Sequence, residues 1–447
     1  MQPSPSYRAL AGLAGALIPL AARWSPRLSQ GHVGRRRSLA GFLEWARSSR
    51  DRSRPLIWWH APSVGEGRQA EAVLVRVRER RPAWQLAFTH FSPSAEQLAA
   101  SLPVDVAGYL PWDTPGPVEQ LVAALQPTAL VFAKLDLWPE LAGQAAASGA
   151  AVAMVAATVS RRSCRTRWPA RLLTRSGYAT VAAAGAIAVE DAERLVRLGI
   201  RPDRIQVTGD PRADSVADWV ARVDQQDPLL ALGGPETLVA GSTWPEDEDV
   251  LLGALARLRA TGHPGARLIL APHQPSPDHL RRVEAQTRRA GLTIHRLGAM
   301  TPNAPGLPGD AWPDVILVDW VGILATLYGA GGLAYVGGGF GRAGLHSVLE
   351  PAAWSRPVLF GPRWDGSRDA ELLLGAGGGR ALTTAGGAQA QLAEAWLEWS
   401  SAAGPAAGRL ARKVVEAGIG SAERNAELVI ELVERKPRRE SDYLGGG

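Results

Sequence analysis

The sequence predicts an α/β protein with two doubly wound domains, and three observations support this fold class. The chain has 447 residues, and at roughly 100–200 residues per domain this length fits two domains. Short apolar runs alternate with amphipathic helical patterns, which is typical of βαβ units and parallel sheets covered by helices on both faces. This alternation of strands and helices stops near residue 225 and begins again after Gly233-Gly234-Pro235. The interruption predicts a boundary between the two domains.

The composition excludes several classes of protein. Hydrophobic residues make up 46% and charged residues 21% of the chain, which excludes a disordered chain, a collagen-like chain and a polytopic membrane protein. The single cysteine, Cys164, excludes a disulfide scaffold and a cysteine-based zinc site.

The positive charge is confined to the N-terminal segment. Residues 1–54 contain ten arginines and two acids, a charge of +8, so that the rest of the chain carries −2 of the total of +6. Proteins that bind nucleic acid more often carry basic residues on their folded domains, and we therefore expect no nucleic-acid partner. A basic end beside an apolar stretch instead predicts contact with an anionic membrane surface.

The apolar stretch of this segment covers residues 9–22 and reads ALAGLAGALIPLAA. It has 14 residues, whereas a membrane-spanning helix needs about 20, and it contains Pro19. Three interpretations remain open: a monotopic anchor that dips into the bilayer, a buried helix of the first domain, or a cleaved signal peptide.

The first domain is assigned to residues 55–220. A helix over residues 68–80 is expected to bury Ala70, Val73, Leu74 and Val77 on one face. The strands predicted around it are 55–59, 86–91, 128–135, 150–158, 182–190 and 204–209.

Residues 221–236 are expected to form a linker, residues 237–435 the second domain, and residues 436–447 a disordered tail. The predicted strands are 237–243, 267–273, 315–319, 333–339 and 357–362. The first of them runs into a helix, because Thr243 can cap, Pro245 suits the first turn, and the acids at 246–249 favour its positive end.

The first candidate site is the segment from His60 to Gly67, on a predicted strand-to-helix turn. Ligands of open α/β sheets bind at the carboxyl ends of strands, and the glycines on either side of Glu66 permit a tight turn. Glu66 could there act as a general base on an acceptor hydroxyl. The alternative is that it merely complements the helix dipole.

The second candidate site is the glycine-rich turn that includes Gly338 and Gly339. Backbone N–H groups of such a turn can bind a phosphate, and Glu350, farther along, could accept the hydroxyls of a ribose. The alternative is a turn that packs tightly against a neighbouring helix. Two other strand ends could face the same phosphate, the first with Ser242 and Thr243 and the second with His273; helix capping and a lone structural histidine explain them equally well.

Lys134 and Asp136 follow another predicted strand. Strand alternation would place both side chains on one side, where they could pair with each other or line a cleft. No pattern of metal ligands occurs in the sequence, and we expect neither a metal nor another cofactor.

Over residues 55–370 the sequence resembles the bacterial 3-deoxy-D-manno-octulosonic acid (Kdo) transferases. The pieces that carry the resemblance occur in the family's order and include WWHAPSVGEGRQA (58–70), FTHFSPSAEQ (88–97), YLPWDTPG (109–116), LDLWPEL (135–141), VEDAERLVRLGI (189–200), VTGDPRAD (207–214), AGSTWPEDE (240–248), LILAPH (268–273), LVDWVGILATLYGAGGLAYVGGGFG (317–341) and LHSVLEPAAWSRPVLFGP (345–362).

The resemblance implies an inverting glycosyltransferase of the GT-B fold, in which two Rossmann-like domains face each other across a cleft. It also implies a CMP-Kdo donor, a lipid A precursor as acceptor, no metal requirement, and an N-terminal anchor on the cytoplasmic face of the inner membrane. By position in its motifs, the catalytic residues are Glu66, Asp136 and Arg212. The donor side comprises Ser242, Thr243, His273, Gly322, Ile323, Gly338, Gly339, His346, Ser347 and Glu350, and the acceptor side comprises Ser63, Gly65 and Lys134.

The chain departs from the family's motifs at three places. It has Pro272-His273-Gln274-Pro275 where many members have P-R-H-P, Ser347 where they have Asn, and Asp136 where they have Glu. Alternatives therefore remain: a CMP-dependent transferase of a different ulosonic acid or to a different lipid, a UDP-sugar transferase or epimerase of similar fold, or a membrane-associated binding protein without activity.

Overall fold

The structure is a computed structural model that describes residues 3–160, 163–299, 312–384 and 387–435. The chain folds into two compact units. The N-terminal unit comprises Met1–Ser215 and Gly420–Gly447, and the C-terminal unit comprises Val216–Ile419. The predicted tail over residues 436–447 lies outside the described residues.

The N-terminal unit is built on a parallel sheet of seven strands in the order β3-β2-β1-β4-β5-β6-β7. The winding changes direction between β1 and β4, so that helices cover both faces. The central strands are therefore buried on both sides, and the adjacent Trp58 and Trp59 belong to core clusters on opposite faces. The strands are β1 (Leu56–His60), β2 (Gln85–His90), β3 (Val106–Tyr109), β4 (Ala129–Ala133), β5 (Ala151–Ala157), β6 (Val181–Ala186) and β7 (Ile205–Val207).

Nine helices accompany this part of the chain among the described residues. They are α1 (Pro5–Ala21), α2 (Pro26–Ser48), α3 (Val64–Arg80), α4 (Glu96–Ser101), α5 (Pro115–Leu125), α6 (Pro139–Ala147), α7 (Ala170–Tyr178), α8 (Val189–Leu198) and α9 (Arg212–Arg222). Helix α2 packs against β3 and α5, so the basic N-terminal segment is part of the folded unit.

The C-terminal unit repeats the architecture with a second parallel sheet in the order β10-β11-β9-β8-β12-β13-β14. Its winding changes direction between β8 and β12. The strands are β8 (Thr237–Thr243), β9 (Arg267–Pro272), β10 (Ile294–Arg296), β11 (Val315–Leu317), β12 (Leu333–Val336), β13 (Val358–Phe360) and β14 (Gly379–Ala381). The helices are α10 (Pro245–Ala260), α11 (Pro277–Arg289), α12 (Leu324–Leu327), α13 (Leu349–Ala353), α14 (Arg368–Ala376), α15 (Ala388–Trp399) and α16 (Ala403–Gly418).

The last helix, α17 (Ser421–Glu434), returns to the N-terminal unit. At its start the carboxylate of Asp214 accepts the backbone N–H groups of Gly420 at 2.7 Å and Ala422 at 2.9 Å. Inside it the fully buried Asn425 accepts the N–H of Ala156 on β5. The predicted division extends the second domain to residue 435 and therefore differs from the structure at α17. The apolar face of this helix packs into the hydrophobic core of the N-terminal unit.

Helix α1 contains the predicted apolar stretch, and none of its residues is buried. The buried-helix interpretation of residues 9–22 is therefore wrong. Two polar contacts hold the helix at its start: Tyr7 donates to Asp113 at 2.6 Å, and Arg8 pairs with Glu140 at 2.8 Å. Within the described part of the chain, no helix combines the length and the apolar character needed to cross a bilayer.

Candidate active site

The carboxyl ends of β1 and β4 meet at the switch point of the first sheet and bring together Ser63, Glu66 and Lys134. Ser63 is the N-cap residue of α3, and Glu66 lies in the first turn of that helix. The Ser63 hydroxyl donates to Oε2 of Glu66. The Lys134 ammonium lies 3.2 Å from Oε1. Two residues predicted on the acceptor side therefore contact the predicted base.

The Glu66 carboxyl is held in its ionised form. Burial acts to raise its pKa, but the hydrogen bond from Ser63 and the charge and hydrogen bond of Lys134 outweigh it, and the pKa lies below its ordinary value. The side chain is 20% exposed. A ligand can therefore reach a carboxylate that is deprotonated.

The two glycines beside Glu66 differ in their surroundings. A Cβ on Gly67 would lie 2.5 Å from the Leu98 side chain, so Gly67 permits α3 to approach α4 closely. A Cβ on Gly65 would meet only the Ser63 hydroxyl, at 3.8 Å. A side chain at 67 would therefore displace Leu98, whereas one at 65 would displace nothing.

Asp136 does not pair with Lys134, contrary to one of the two expectations for these residues. Strand β4 ends at Ala133 and Lys134 lies in a left-handed turn with φ of 61°, so strand alternation does not extend to these residues. Asp136 instead pairs with Arg165 at 2.7 Å and accepts the indole N–H of Trp138 at 3.1 Å. Arg165 was not identified from the sequence, because it lies in a short 3₁₀ segment far from any strand end.

Arg212, the third residue predicted to be catalytic, begins α9. Its guanidinium donates twice to Oδ2 of Asp210, at 2.6 and 2.9 Å. This pair fixes the side chain across the turn that leads into the helix.

The switch point of the second sheet brings the ends of β8 and β12 very close together. A Cβ on Gly337 would lie 2.3 Å from the carbonyl oxygen of Ser242, so only glycine fits there. Ser242 has a left-handed φ of 54°, as does Gly338 at 94°. The predicted donor-side residues Ser242, Thr243, Gly338 and Gly339 thus share one end of the sheet.

Thr243 does not cap the following helix. The N-cap position belongs to Trp244, and the fully buried Thr243 hydroxyl donates to Glu248 at 3.1 Å. The half-buried Ser242 is therefore the accessible hydroxyl of the pair.

A buried acid, Asp247, anchors the glycine-rich turn. Its carboxylate accepts the N–H groups of Trp244 and Gly338, both at 2.9 Å, and the hydroxyl of Tyr335 at 2.7 Å. The sequence indicated this acid only as part of a helix start. Its contacts show that it joins the ends of β8 and β12.

Three rings stack beside this turn. Trp244 lies over His273 with ring centroids 5.0 Å apart, and His273 lies 4.5 Å from His346. The indole N–H of Trp244 contacts Nε2 of His346 at 3.3 Å, so this nitrogen is the unprotonated one. Burial and the neighbouring His273 lower the pKa of His346. The stack joins two predicted donor-side histidines to a tryptophan that the sequence reasoning missed.

The remaining predicted donor-side residues lie around α12 and α13. Gly322, with φ of 100°, and Ile323 precede α12, and Glu350 lies in the first turn of α13. Burial and the charge of Glu350 raise the pKa of Tyr328, which ends α12. Glu350 therefore lies near the C-terminal end of α12. Ser347 follows His346 and is half-buried.

Two pockets open among the described residues of the C-terminal unit. One of about 290 Å³ adjoins Trp244 and is lined by Gln274, His279 and Arg282 among others. The other, of about 410 Å³, lies between the glycine-rich turn and the loop after β13, and Arg342, Arg363 and Trp364 contribute to its wall.

Comparison with known proteins finds similarity to one family in the N-terminal unit. A family model described as 3-deoxy-D-manno-octulosonic-acid transferase (kdotransferase) matches residues 32–215. Two relatives carry the name 3-deoxy-D-manno-octulosonic acid transferase. The protein of Chlamydophila psittaci (strain ATCC VR-125 / 6BC) is 29% identical over 338 residues, which cover 73% of this chain and 74% of that protein. The protein of Bordetella pertussis is 28% identical over 324 residues, 70% of this chain and 73% of its own length.

Solved structures agree on the fold. The UDP-GlcNAc 2-epimerase from Neisseria meningitidis bound to UDP-GlcNAc matches with a TM-score of 0.59 at 12% identity and covers 85% of this chain and 100% of that chain. The UDP-GlcNAc 2-epimerase from Methanocaldococcus jannaschii matches with a TM-score of 0.52 at 13% identity, over 86% and 100% of the two chains. These likenesses and the two parallel sheets confirm the predicted GT-B-type α/β fold. The resemblance identified in the sequence is likewise confirmed: residues 32–215 match the Kdo transferase family model, and the two relatives of that name are 29% and 28% identical to this chain.

Proposed function

We propose that this protein is an inverting glycosyltransferase that moves Kdo from CMP-Kdo to a hydroxyl of a lipid A precursor in lipopolysaccharide biosynthesis. The observation that carries the proposal is the Glu66 carboxylate, which is ionised, partly exposed and fixed by Ser63 and Lys134 at the switch point of a sheet. A family match over residues 32–215 supports the choice of sugar.

Glu66 is the proposed general base. The acceptor hydroxyl attacks the anomeric carbon of Kdo on the face opposite the phosphate, and its proton passes to the Glu66 carboxylate. The bond between the anomeric carbon and the phosphate oxygen breaks, and its electron pair leaves with CMP. A single displacement of this kind inverts the configuration at the anomeric carbon.

The second switch point is the proposed donor site. Developing negative charge on the departing CMP phosphate needs fixed donors. The Ser242 hydroxyl, His273 and the backbone N–H of Gly339 can supply them without a metal, whereas the N–H of Gly338 already donates to Asp247. Gly322, Ile323 and Glu350 are proposed to contact the nucleoside. His273 lies at the position where many members of the family that the sequence resembles have an arginine, and its ring lies between those of Trp244 and His346.

On the acceptor side, the side chains of Ser63 and Lys134 fix the Glu66 carboxylate. Asp136, two residues after Lys134, accepts the indole N–H of Trp138 and pairs with Arg165. Gly65 keeps the approach to Glu66 free of a side chain. Arg212 is proposed to balance negative charge during transfer, once it is released from Asp210.

The N-terminal unit is proposed to dock on the anionic, cytoplasmic face of the inner membrane. Four leucines of α1 (Leu10, Leu13, Leu17 and Leu20) recur every three or four residues and are 48–60% exposed, which is the pattern of a helix lying in a membrane interface. Helix α1 lies against α7. That helix contains Arg171 and Arg175 and follows Trp168, which is 79% exposed. Arginines and an exposed tryptophan suit the headgroup layer.

The proposal is tested by incubating purified protein with CMP-Kdo and a lipid A precursor, in the presence of a chelator, and measuring product mass. We expect a mass gain of one or more Kdo units. Glu66→Gln should reduce kcat by roughly 10²- to 10⁴-fold, whereas the control Glu79→Gln, on the exposed end of the same helix, should not. Transfer at an unchanged rate in Glu66→Gln would refute the role of the base. An absence of transfer by protein that still binds CMP would instead indicate a different CMP-activated sugar or acceptor.

A further inference from the structure

Lys134 has an unusual backbone that aims it at Glu66. It lies one residue beyond β4 with φ of 61°, a left-handed conformation that non-glycine residues seldom adopt. Its N–H donates to the carbonyl of Val155 on β5 at 2.8 Å, so the sheet itself holds the turn in place. Strained backbone of this kind persists where the surroundings enforce it, and it is concentrated at functional sites.

The pairing of Lys134 with Glu66 in the free protein is poorly suited to catalysis. Each oxygen of the Glu66 carboxylate accepts from one donor, Oε1 from Lys134 and Oε2 from Ser63. A carboxylate stabilised in this way is a weak base, and general bases work best when their pKa lies near the working pH. A step that removes the ammonium from Glu66 would strengthen the base at the moment when the acceptor arrives.

The structure leaves Lys134 able to take a second partner. Its side chain is 42% exposed, and an ammonium has three N–H donors, of which Glu66 accepts one. The other acid of this loop, Asp136, is occupied by Arg165 and Trp138. An anion that reaches Lys134 from solvent therefore competes only with Glu66 among these neighbours.

We propose that Lys134 is the receptor for an oxyanion of the acceptor, paired with Glu66 in the free protein and with the acceptor's phosphate or carboxylate in the complex. When the Lys134 ammonium moves from Glu66 to this oxyanion, the Glu66 carboxylate becomes free. The attacking hydroxyl of the acceptor would then lie beside that carboxylate. An oxyanion about 2.8 Å from Nζ lies within roughly 6 Å of the Glu66 oxygen. The acceptor would therefore carry its anionic group within a few ångströms of the hydroxyl that reacts. The inference rests on the proposed function for the identity of the base and the reaction.

The test compares two forms of one acceptor, a phosphorylated glucosamine disaccharide lipid and the same lipid after enzymatic dephosphorylation. For the phosphorylated acceptor, Lys134→Met should raise KM roughly 10- to 100-fold, the range of a charge-assisted hydrogen bond. For the dephosphorylated acceptor, KM should stay the same in wild type and variant. Lys134→Arg should restore most of the affinity, and Lys413→Met, at an exposed lysine of α16, serves as the control.

Two outcomes would overturn the inference. One is an equal change of KM for both acceptors, which would mean that Lys134 only supports the fold of the loop. The other is no change for either lipid and also none for a dephosphorylated acceptor that already carries one Kdo. If the carboxylate of an already attached Kdo is the anion, the selective loss will appear with a dephosphorylated acceptor that carries one Kdo, and not with the bare lipid.

Failure of the proposed function can be separated from failure of the inference. Equilibrium binding of the two lipids in detergent micelles, measured without donor, requires no turnover. A selective loss of affinity for the phosphorylated lipid in Lys134→Met would support the receptor even if no Kdo were transferred. Equal binding by wild type and variant of both lipids, and of the dephosphorylated lipid that carries one Kdo, would contradict it whatever the reaction is.

Discussion

The Glu66 carboxyl shows how the environment of one residue sets a testable pH dependence. As a base it must be deprotonated, so kcat/KM should fall as the pH drops through its pKa, and this acid limb should lie below the ordinary glutamate range because the pKa is lowered. Lys134→Met removes two influences that lower the pKa, the charge and one hydrogen bond, while burial still raises it. The acid limb should therefore move to higher pH.

The measurement is the pH profile of kcat/KM for wild type, Lys134→Met and Lys413→Met. The charge acting on Glu66 comes from Lys134 on the β4–α6 turn, and Ser63 adds an uncharged donor from its own helix. Lys413 is an exposed lysine of α16, and its replacement should leave the limb in place. An unchanged limb in Lys134→Met would show that the ammonium does not control the proton affinity of Glu66.

Gly337 offers a second prediction for a single residue. A Cβ at this position would lie 2.3 Å from the Ser242 carbonyl oxygen and 2.7 Å from Cα of Thr243. These are backbone atoms that cannot rotate away. Gly337→Ala should therefore lower the free energy of unfolding by about 1–3 kcal/mol or more and weaken CMP binding. The control is Gly341→Ala, where the nearest atom to the added Cβ belongs to the Glu246 side chain at 3.5 Å.

Denaturant unfolding and CMP calorimetry on the two glycine variants would check this prediction. If Gly337→Ala and Gly341→Ala behaved alike, the close approach of β8 and β12 would not govern the donor site. If Gly337→Ala lost stability but kept CMP affinity, the turn would be structural and the nucleotide would bind elsewhere.

At the level of the elements, α1 gives a prediction about the membrane. Glutamate at positions 13 and 17 of its exposed leucine stripe would place two charges on the face proposed to enter the lipid. Because burial of each leucine contributes about 1.5–3 kcal/mol, the Leu13→Glu, Leu17→Glu variant should bind vesicles containing phosphatidylglycerol at least roughly tenfold more weakly.

Vesicle flotation would measure this binding. The matched control is Leu372→Glu, at a leucine of α14 in the C-terminal unit that is 45% exposed. The fraction of this variant that floats with the vesicles should equal that of wild type. Helix content by circular dichroism would verify that α1 still forms. Undiminished flotation of the double variant would contradict the proposed docking face.

Most of the strands that the sequence missed differ from those that it predicted in their place in the sheets, although the short edge strand β7 was predicted. Strands β1, β4, β8 and β9 were predicted because a strand buried on both faces must be a continuous apolar run. Strands β3, β10 and β14 were missed. Each lies at the edge of its sheet, is three or four residues long and is mostly half-exposed. Such strands need little hydrophobicity, so their sequences carry a weak signal.

The candidate site was predictable where it depends on strand ends and not where it depends on contacts between distant segments. Glu66 and the glycine-rich turn follow strands and could be located by that rule. Arg165 and Trp244 could not, because an ion pair and a ring stack depend on tertiary structure. The expected pairing of Lys134 with Asp136 does not occur for a local reason, since β4 ends two residues earlier than predicted and the left-handed turn breaks the alternation.

For the whole molecule, the path of the chain makes the two units unequal. The C-terminal unit is one continuous segment, Val216–Ile419, whereas the N-terminal unit needs both ends of the chain. Helix α17 contributes Ala426, Val429, Ile430 and Val433 to the core cluster that α3 also lines. Arg80 at the end of α3 adds ion pairs to Glu423 and Glu427.

Truncation after residue 419 should therefore unfold one unit and spare the other. Loss of the buried aliphatic side chains of α17 removes about 5 kcal/mol or more, which is comparable to the total stability of a domain. Hydrogen exchange should show lost protection in β1–β7 and retained protection in β8–β14. Truncation after residue 435, which removes only the residues beyond α17, is the control and should leave both sheets protected. Equal protection of β1–β7 in the two truncated chains would mean that the N-terminal unit folds without α17, and equal loss in β8–β14 would mean that the C-terminal unit depends on its neighbour.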